Sequence, residues 1–387
     1  MITVDGRTGN VYEGVIKTEV KRWDPTQYKT RTKLFVNLED PETAVEVYKI
    51  FDGIGLMRTE FVILEAKYHP EFLQHFDLFK QRYEEAIKAG KKTFEFFLEP
   101  NVPVEEAKEL IEEIEKDTAG YENKLHFIRD KLAQIYIKTA EAFWPKPVTI
   151  RLSDFKSDEY RGMKGGKYVE KIEKYPMAGF RGVRRYVSER YREAFKQTEL
   201  AAMRMAIKEK GMTNIIMLVP EIRSIPKEVV PLKEMVSEVF EDPSFADKLL
   251  FMFEVPANAL ICRDFTEQTK IGWSIGSNDL TKGVLDIDRD NEDLKDLWNE
   301  ADPAVLAAVK RVIDTSHSMD PVRTVSICGE GPSNNDLFFE KLIEYGIDSI
   351  SVNIDVGGER RKRLWEIERE IDEGKRPGAV LPPAFRK

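Results

Sequence analysis

The sequence contains few of the residues that build disulfide frameworks or histidine metal sites. Only two cysteines, Cys262 and Cys328, occur among 387 residues. Two cysteines cannot form a disulfide framework, and such a composition is typical of a reducing compartment. The four histidines have no shared spacing, and we assign no ligand role to His69, His75, His126 or His317.

Long apolar runs and an excess of basic charge are also missing. No stretch approaches the roughly 18 apolar residues of a membrane span, and no secretory leader follows Met1. The formal net charge of -9 argues against a nucleic-acid partner, because such domains usually have a net basic surface. We therefore expect a cytoplasmic protein with neither a membrane nor a nucleic-acid partner. Its 42% hydrophobic residues can fill one large core.

Short apolar or β-branched runs alternate with helical patterns along most of the chain. Eight strands are predicted, at 33–38, 53–57, 148–152, 214–219, 249–255, 272–276, 323–328 and 349–353. Helices are predicted at 41–51, 191–208, 227–240, 303–318 and 334–345. Strands that alternate with helices favour a parallel sheet, and eight repeats favour its closure. The predicted fold is therefore α/β, a (β/α)8 TIM barrel over residues 31–387.

Two segments lie outside this repeat. Residues 1–30 begin with DG and TGN turn signals between short β-type runs, which predicts a hairpin and a linker before the barrel. The interval between predicted strands 2 and 3 is too long for a single crossover. Its helical patterns at 71–89, 104–116 and 122–144 predict a helical excursion over the mouth or side of the barrel.

Chemically reactive side chains stand at or just after the ends of the predicted strands. These residues are Arg58, Arg151, Glu254, Asn278, Asp279 and Cys328. Because the carboxyl ends of barrel strands converge on one mouth, residues far apart in sequence can meet there around one small ligand. The residue types favour an anionic ligand that is bound through a metal.

Arginines are the first part of this pattern. Arg58 and Arg151 follow apolar strands, and Arg181 lies between glycines in PMAGFRGVRRY. A guanidinium group matches the oxygens of phosphate or carboxylate in a bidentate geometry. The alternative is that each arginine pairs with a neighbouring carboxylate such as Glu60 or Asp154. Three arginines on one mouth favour the anion site.

Carboxylates and a thiol complete the pattern. Glu254 and Asp279 would emerge from adjacent strands, where their carboxylates suit Mg²⁺. The alternatives are a helix-capping role for Asp279 and a general acid/base pair. Cys328 lies between a strand and the glycine-rich GEGPS. Its thiol could exchange a proton with a carbon next to a carbonyl, although a lone cysteine is often only a small buried apolar residue. Cys262 is interpreted as structural.

Several longer motifs resemble one enzyme family. They are GIGLMRTEF, AFWPKPVTIRLSDFKSDEYRGMKGG, YPMAGFRGVRRYVSERY, FEVPANAL, SIGSNDLTKGVLDIDRDN, SICGEGPSNND and GIDSISVN. Together they resemble the phosphoenolpyruvate-binding barrel of the family that includes phosphoenolpyruvate synthase, pyruvate phosphate dikinase and phosphotransferase-system enzyme I. The resemblance covers about residues 30 to 370. The opening ITVDGRTGNVYEG is similar to the last hairpin of the phosphohistidine domain in that family, so residues 1–30 are interpreted as a remnant of such a domain.

The resemblance implies a role for each residue. Glu254 and Asp279 match the ligands of Mg²⁺, which binds together with pyruvate or phosphoenolpyruvate, and Cys328 matches the acid that protonates the enolate. The residues that match those binding the phosphoryl group are Arg58, Arg151, Arg181, Arg289 and Asn278. The predicted catalytic set is Cys328, Arg58 and Arg151. Two segments depart from the family pattern, LTKG in place of LTQ and VPEIRS in place of a more apolar stretch.

The resemblance also implies a partner. The family's phosphohistidine motif, a His after a Thr in a run of small residues, does not occur in this sequence. We therefore expect an enzyme of the pyruvate, water dikinase type that needs a phosphohistidine domain in cis or in trans, and a homodimer. The alternatives are a non-catalytic phosphoenolpyruvate-binding or regulatory protein, and a lyase that acts on the enolate of Mg²⁺-bound pyruvate.

Overall fold

The structure is a computed structural model that describes residues 1–4, 9–16, 27–38, 43–288 and 291–380. Its strands are numbered along the chain: β1 Ile2–Val4, β2 Val11–Glu13, β3 Lys33–Leu38, β4 Gly53–Arg58, β5 Thr93–Phe96, β6 Glu99–Pro103, β7 Val148–Arg151, β8 Ile215–Val219, β9 Leu249–Phe253, β10 Gly272–Ile275, β11 Thr324–Ile327 and β12 Ser349–Val352.

Eight of these strands close into a parallel barrel. β3, β4 and β7 to β12 pair in chain order, and β12 returns to β3 with Ile350 opposite Leu34. Strands such as LLFMF in β9 are buried throughout, as expected where one face of a strand fills the barrel and helices cover the other. The eight predicted strands and the (β/α)8 fold are confirmed.

Helices surround the barrel. The α-helices are Ala44–Val47, Glu60–Ala66, Pro70–Gln74, Phe76–Lys88, Val104–Asp117, Leu125–Ala142, Ser157–Gly162, Gly166–Val169, Val183–Tyr186, Arg192–Phe195, Ala201–Arg204, Val230–Phe240, Pro256–Leu260, Cys262–Thr266, Ser277–Leu285, Pro303–His317, Gly331–Asn334, Asp336–Glu344 and Gly357–Asp372. Turns of π-helix occupy Lys196–Leu200, Met205–Glu209 and Ile225–Val229. Short 3₁₀ helices occupy Pro176–Ala178, Pro243–Lys248, Glu292–Leu297 and Ile354–Val356.

The excursion between β4 and β7 contains the expected helices and also an antiparallel hairpin that the helical patterns did not predict. The hairpin pairs β5 with β6, and its inward side chains Phe94 and Phe96 are buried. They pack in edge-to-face contacts on Phe79, whose ring lies 5.4 Å and 4.9 Å from theirs. Such aromatic pairs stabilise a fold beyond the contribution of the apolar area that they bury. The hairpin therefore extends the core of the excursion beyond its helices.

The amino-terminal hairpin has the predicted strands. β1 and β2 pair antiparallel, with Thr3 opposite Tyr12, while Asp5 to Thr8 between them lie outside the described residues. Whether this segment is a remnant of another domain stays a prediction. Within the described ranges, no helix is both long enough and apolar enough to cross a bilayer.

The first prediction concerns the amino end of β10. Gly272 has a φ of +136°, and a Cβ there would lie 1.9 Å from the carbonyl oxygen of Thr324. We expect Gly272→Ala to lower the free energy of unfolding by at least about 3 kcal/mol, since it adds backbone strain to an overlap with rigid backbone. Gly211→Ala is the matched control, because φ is also positive there at +75° but a Cβ would meet nothing within 4 Å. It should cost only about 1 kcal/mol. If urea unfolding showed equal losses of free energy for the two variants, the overlap with Thr324 would not be the cause of the destabilisation.

Candidate active site at the carboxyl end of the barrel

The barrel brings the predicted site residues to one rim. Arg58 and Arg151 are the last residues of β4 and β7 and stand opposite each other in the register. Glu254 directly follows β9, and Cys328 directly follows β11. Asp279 lies in the first turn of the helix Ser277–Leu285, just after β10. The strand ends therefore place these groups as the sequence predicts, while their roles stay predictions.

Arg181 connects the two sides of this rim. Its side chain is buried and forms two hydrogen bonds to Asp154, one of them from Nε at 2.9 Å. It also lies 3.3 Å from Asp279 and 3.6 Å from Glu221. Burial alone would lower the pKa of Arg181, but the charge of Asp154 raises it. The guanidinium is therefore a permanent cation that neutralises neighbouring carboxylates.

Gly182 permits the close approach that places Arg181. Its φ is +58°, and a Cβ there would fall 2.4 Å from the Cβ of Glu221. Only a residue without a side chain fits between this loop and the segment after β8. A larger residue after Arg181 would therefore push this loop away from Glu221.

Arg151 is held by a second pair of carboxylates. Its Nη2 donates to Oε1 of Glu60 at 2.8 Å, and its Nη1 lies 3.8 Å from Asp154. The same oxygen of Glu60 accepts from the backbone N–H of Asp154 at 2.7 Å. The pairing of Arg151 and Arg181 with Glu60 and Asp154 is thus observed. These pairs fix the direction of both guanidinium groups, and Nε of Arg151 has no hydrogen-bond partner within the described ranges.

Three carboxylates meet beside Arg181. Ligand-type oxygens of Glu221, Glu254 and Asp279 all lie within 4.8 Å of one another. Burial raises the pKa of Glu254 well above its usual value, and burial also raises that of Glu221 to about 7. Burial opposes ionisation of Asp279, yet the charges of Arg181 and Lys282 hold its pKa below the usual value. Carboxylates this close raise one another's pKa, and a cation bound between them would relieve that repulsion.

Glu221 was not singled out from the sequence. It stands two residues after the last residue of β8, so the strand-end rule that found Glu254 would also have found it. Its φ of +53° is unusual for a residue with a long side chain. The signal was therefore present in VPEIRS but was interpreted only as a departure from a family pattern.

The carboxylate cluster fits a divalent cation on structural grounds. Glu254 is 2% exposed, and its Oε1 accepts from the backbone N–H of Glu221 at 2.6 Å. Its Oε2 is buried and has no hydrogen-bond partner in the part of the chain that the structure describes. A Cβ on Gly276 would lie 2.8 Å from that oxygen, so the glycine keeps the space beside it open. An unpaired buried carboxylate oxygen is costly unless a cation or donor meets it, and Mg²⁺ prefers such ligands.

Cys328 faces the interior of the barrel beside these charges. It is buried with Leu56, Leu218, Leu250 and Met252. Burial raises the pKa of its thiol to about 11, although the hydroxyl of Ser274 and the charges of Arg151 and Arg58 oppose that rise. The thiol is therefore protonated at neutral pH, as a proton donor must be. Cys262, in contrast, lies in a helix outside the barrel, consistent with a structural role.

A cavity opens at the carboxyl ends of β3, β4 and β12. It has a volume of about 490 Å³ and is lined by Asn37, Leu56, Arg58, Glu330 and Asn353, among others. The side chain of Asn37 donates to the carbonyl oxygen of Cys328 at 3.3 Å. Asn278 is half-buried in the first turn of the helix after β10. Arg289, the remaining predicted phosphoryl contact, lies outside the described residues.

A second cluster of titratable groups lies behind the loop that carries Arg181. Nε2 of His69 lies 3.1 Å from Glu170, which also pairs with Arg185 and Arg190. Burial lowers the pKa of His69 to about 4, so its ring is neutral at pH 7. Nη2 of Arg185 donates to the carbonyl oxygen of Phe180 at 2.9 Å, next to Arg181. Two guanidinium groups already neutralise this cluster, and it supports the loop.

Comparison with known proteins adds a family to this geometry. The profile of the family described as "PEP-utilising enzyme, PEP-binding domain" matches residues 16–368. A protein of Staphylothermus marinus named "Probable phosphoenolpyruvate synthase" is 38% identical over 96% of this chain and 41% of its own length. Proteins named "Phosphoenolpyruvate synthase" from Aeropyrum pernix and Synechocystis are 36% and 35% identical, over 96% and 95% of this chain and 42% of each relative. The chain thus spans about two fifths of the length of these relatives.

The prediction from this site concerns the buried pair of Asp154 and Arg181. Asp154→Asn leaves the guanidinium of Arg181 without its main anionic partner, and we expect it to lower the free energy of unfolding by about 3 kcal/mol. Asp130→Asn is the matched control, because Asp130 also pairs with an arginine, Arg129, at 2.7 Å, but its side chain is 35% exposed. That change should cost less than about 1 kcal/mol. Similar losses for both variants in urea unfolding would show that burial does not set the strength of the pair.

Proposed function

The chain belongs to the family of PEP-utilising enzymes and carries their PEP-binding domain. We propose that it is the pyruvate/phosphoenolpyruvate half-site of a phosphotransferase. The proposal is that the barrel binds pyruvate or phosphoenolpyruvate with Mg²⁺ and supports phosphoryl transfer as in a phosphoenolpyruvate synthase. One observation carries it. Guanidinium groups, a carboxylate cluster and a protonated thiol lie on a single barrel rim.

Glu254 and Asp279 are the proposed Mg²⁺ ligands. Oε2 of Glu254 has no other partner, and the oxygens of Asp279 keep lone pairs beside their contacts with Arg181 and Lys282. A bound Mg²⁺ would supply Lewis-acid stabilisation of charge on the pyruvate oxygens. The carboxylates contribute by fixing the place of that charge at the rim.

The arginines are proposed to bind the phosphoryl group. Arg151 and Arg181 are held in direction by Glu60 and Asp154, so little side-chain freedom is lost when an anion binds. Arg58 lines the adjacent cavity from the neighbouring strand. Guanidinium groups that are oriented in advance stabilise the charge that spreads over phosphoryl oxygens during transfer. Asn278 and Arg289 are proposed as further contacts.

Cys328 is proposed to handle the proton of the three-carbon unit. Its Sγ would give a proton to the methylene carbon of the enolate and would take one from the methyl group of pyruvate in reverse. A thiol with a pKa of about 11 holds the proton firmly, and the charges of Arg151 and Arg58 beside it favour the thiolate that remains after donation.

The second half of the reaction is proposed to lie in a phosphohistidine domain that acts in cis or in trans. The relatives are more than twice as long as the matched region, which leaves room for such a domain in them. A homodimer is part of the same proposal. Neither needs to be present for the barrel to bind pyruvate and exchange its methyl protons.

Proton exchange tests the proposal. The chain is incubated with pyruvate, Mg²⁺ and inorganic phosphate in D₂O, and deuterium in the methyl group is followed by NMR. We expect exchange that Cys328→Ala abolishes, because the variant lacks the group that carries the proton. Cys262→Ala is the matched control, a second buried cysteine that lies away from the rim, and it should exchange at the unaltered rate.

The same assay gives a pH dependence. Removal of a methyl proton needs the thiolate, and the thiol pKa of about 11 lies above the assay range. The exchange rate should therefore rise about tenfold for each pH unit between 7 and 9. Binding of phosphoenolpyruvate without any exchange would favour a non-catalytic binder, and the absence of both binding and exchange would falsify the proposed function.

A further inference from the structure

We propose that Glu221 is a third carboxylate ligand of the divalent cation, so that the barrel binds the metal before substrate arrives. The inference rests on the proposed function but extends it to a residue that the sequence interpretation did not assign. Three carboxylates from the ends of β8, β9 and β10 would then share one ion.

The contacts of Glu221 leave one of its oxygens available. Oε2 forms an ion pair with Nη2 of Arg223 at 2.5 Å, whereas Oε1 lies 3.6 Å from Nη1 of Arg181, beyond hydrogen-bond distance. Arg223 therefore orients the carboxylate without using both of its oxygens. The residue is 5% exposed, so water has little access to it.

A direct link couples Glu221 to the neighbouring ligand. Its backbone N–H donates to Oε1 of Glu254, which turns Oε2 of Glu254 toward the space that Gly276 leaves open. That buried oxygen has no hydrogen-bond partner among the described residues, a cost that a bound cation would offset. The backbone of Glu221 holds a positive φ to make this contact, a cost of about 1 kcal/mol or more that the fold must offset elsewhere.

Three carboxylates also suit the coordination of the ion. An octahedral Mg²⁺ or Mn²⁺ with one oxygen from each of them keeps three positions for water or substrate oxygens. A bidentate pyruvate would take two of these. Three negative ligands outweigh the charge of the ion, so affinity in the absence of substrate should be higher than two carboxylates provide.

Mn²⁺ binding to the full chain tests the inference without any turnover. We titrate Mn²⁺ by EPR and count the water molecules on the bound ion from deuterium couplings in D₂O. Glu221→Gln should weaken Mn²⁺ binding by about ten- to a hundredfold and should add one bound water. Glu238→Gln is the control for lost charge, because Glu238 is an exposed residue paired with Lys196. This variant should bind Mn²⁺ with unaltered affinity.

A charge-preserving variant separates coordination from a field effect. Glu221→Asp keeps the charge and tolerates a positive φ at least as well, but its carboxylate is one methylene shorter. If Glu221 is a ligand, this variant also loses affinity and gains a water. Unaltered affinity and hydration in Glu221→Asp would overturn the inference. In that case loss of Mn²⁺ binding in Glu254→Gln would still support the proposed function, so the two proposals fail separately.

Discussion

Compensation of buried charge at the barrel rim is the constraint on which the rest of the site depends. Asp154 and Glu221 are both buried, and each faces Arg181. Moving Asp154 would break both of its hydrogen bonds with Arg181, and breaking a buried pair is far more costly than forming it is favourable. The barrel supplies the geometry, because adjacent strand ends are the places where groups from distant parts of the sequence lie within ion-pair distance. A substrate anion and a cation would complete a network in which most members already have partners.

The fold could be predicted because its signals are local and repeated. Buried parallel strands such as Leu249–Phe253 are continuous apolar runs, and the residues that follow them change character abruptly. The hairpin of β5 and β6 escaped prediction for a local reason. Its turn contains Phe97 at a φ of +42°, a residue that gives no turn signal, although Phe94 and Phe96 alternate with polar residues. The alternation of apolar and polar residues is short there, and strong helical patterns lie on both sides of it.

The site could be predicted only in part. The sequence indicates which residues reach the rim, but it does not indicate which of them contact one another. The strand-end rule places Arg151 and Glu254 at the rim but says nothing of which groups face each other. That Glu60 binds both Arg151 and the backbone of Asp154 depends on the pairing of β4 with β7. Cavity size would have been a poor guide as well. A larger cavity of about 730 Å³ lies at the opposite end of the barrel, around Phe35, Ile216 and Leu250, away from the carboxylates and the thiol.

The position of Cys328 shows how one rim could serve the two kinds of chemistry proposed for it. The thiol lies among apolar side chains inside the barrel, where desolvation keeps it protonated, while the charges of Arg151 and Arg58 reach it from the rim. The arginines that are proposed to hold phosphoryl oxygens would therefore also bias the proton position on sulfur. When an anion neutralises those arginines, the thiolate loses part of its support and the thiol becomes a weaker acid. In the proposed reaction, phosphoryl binding and carbon protonation would thus be coupled through the guanidinium charges of Arg151 and Arg58, both of which lower the pKa of the thiol.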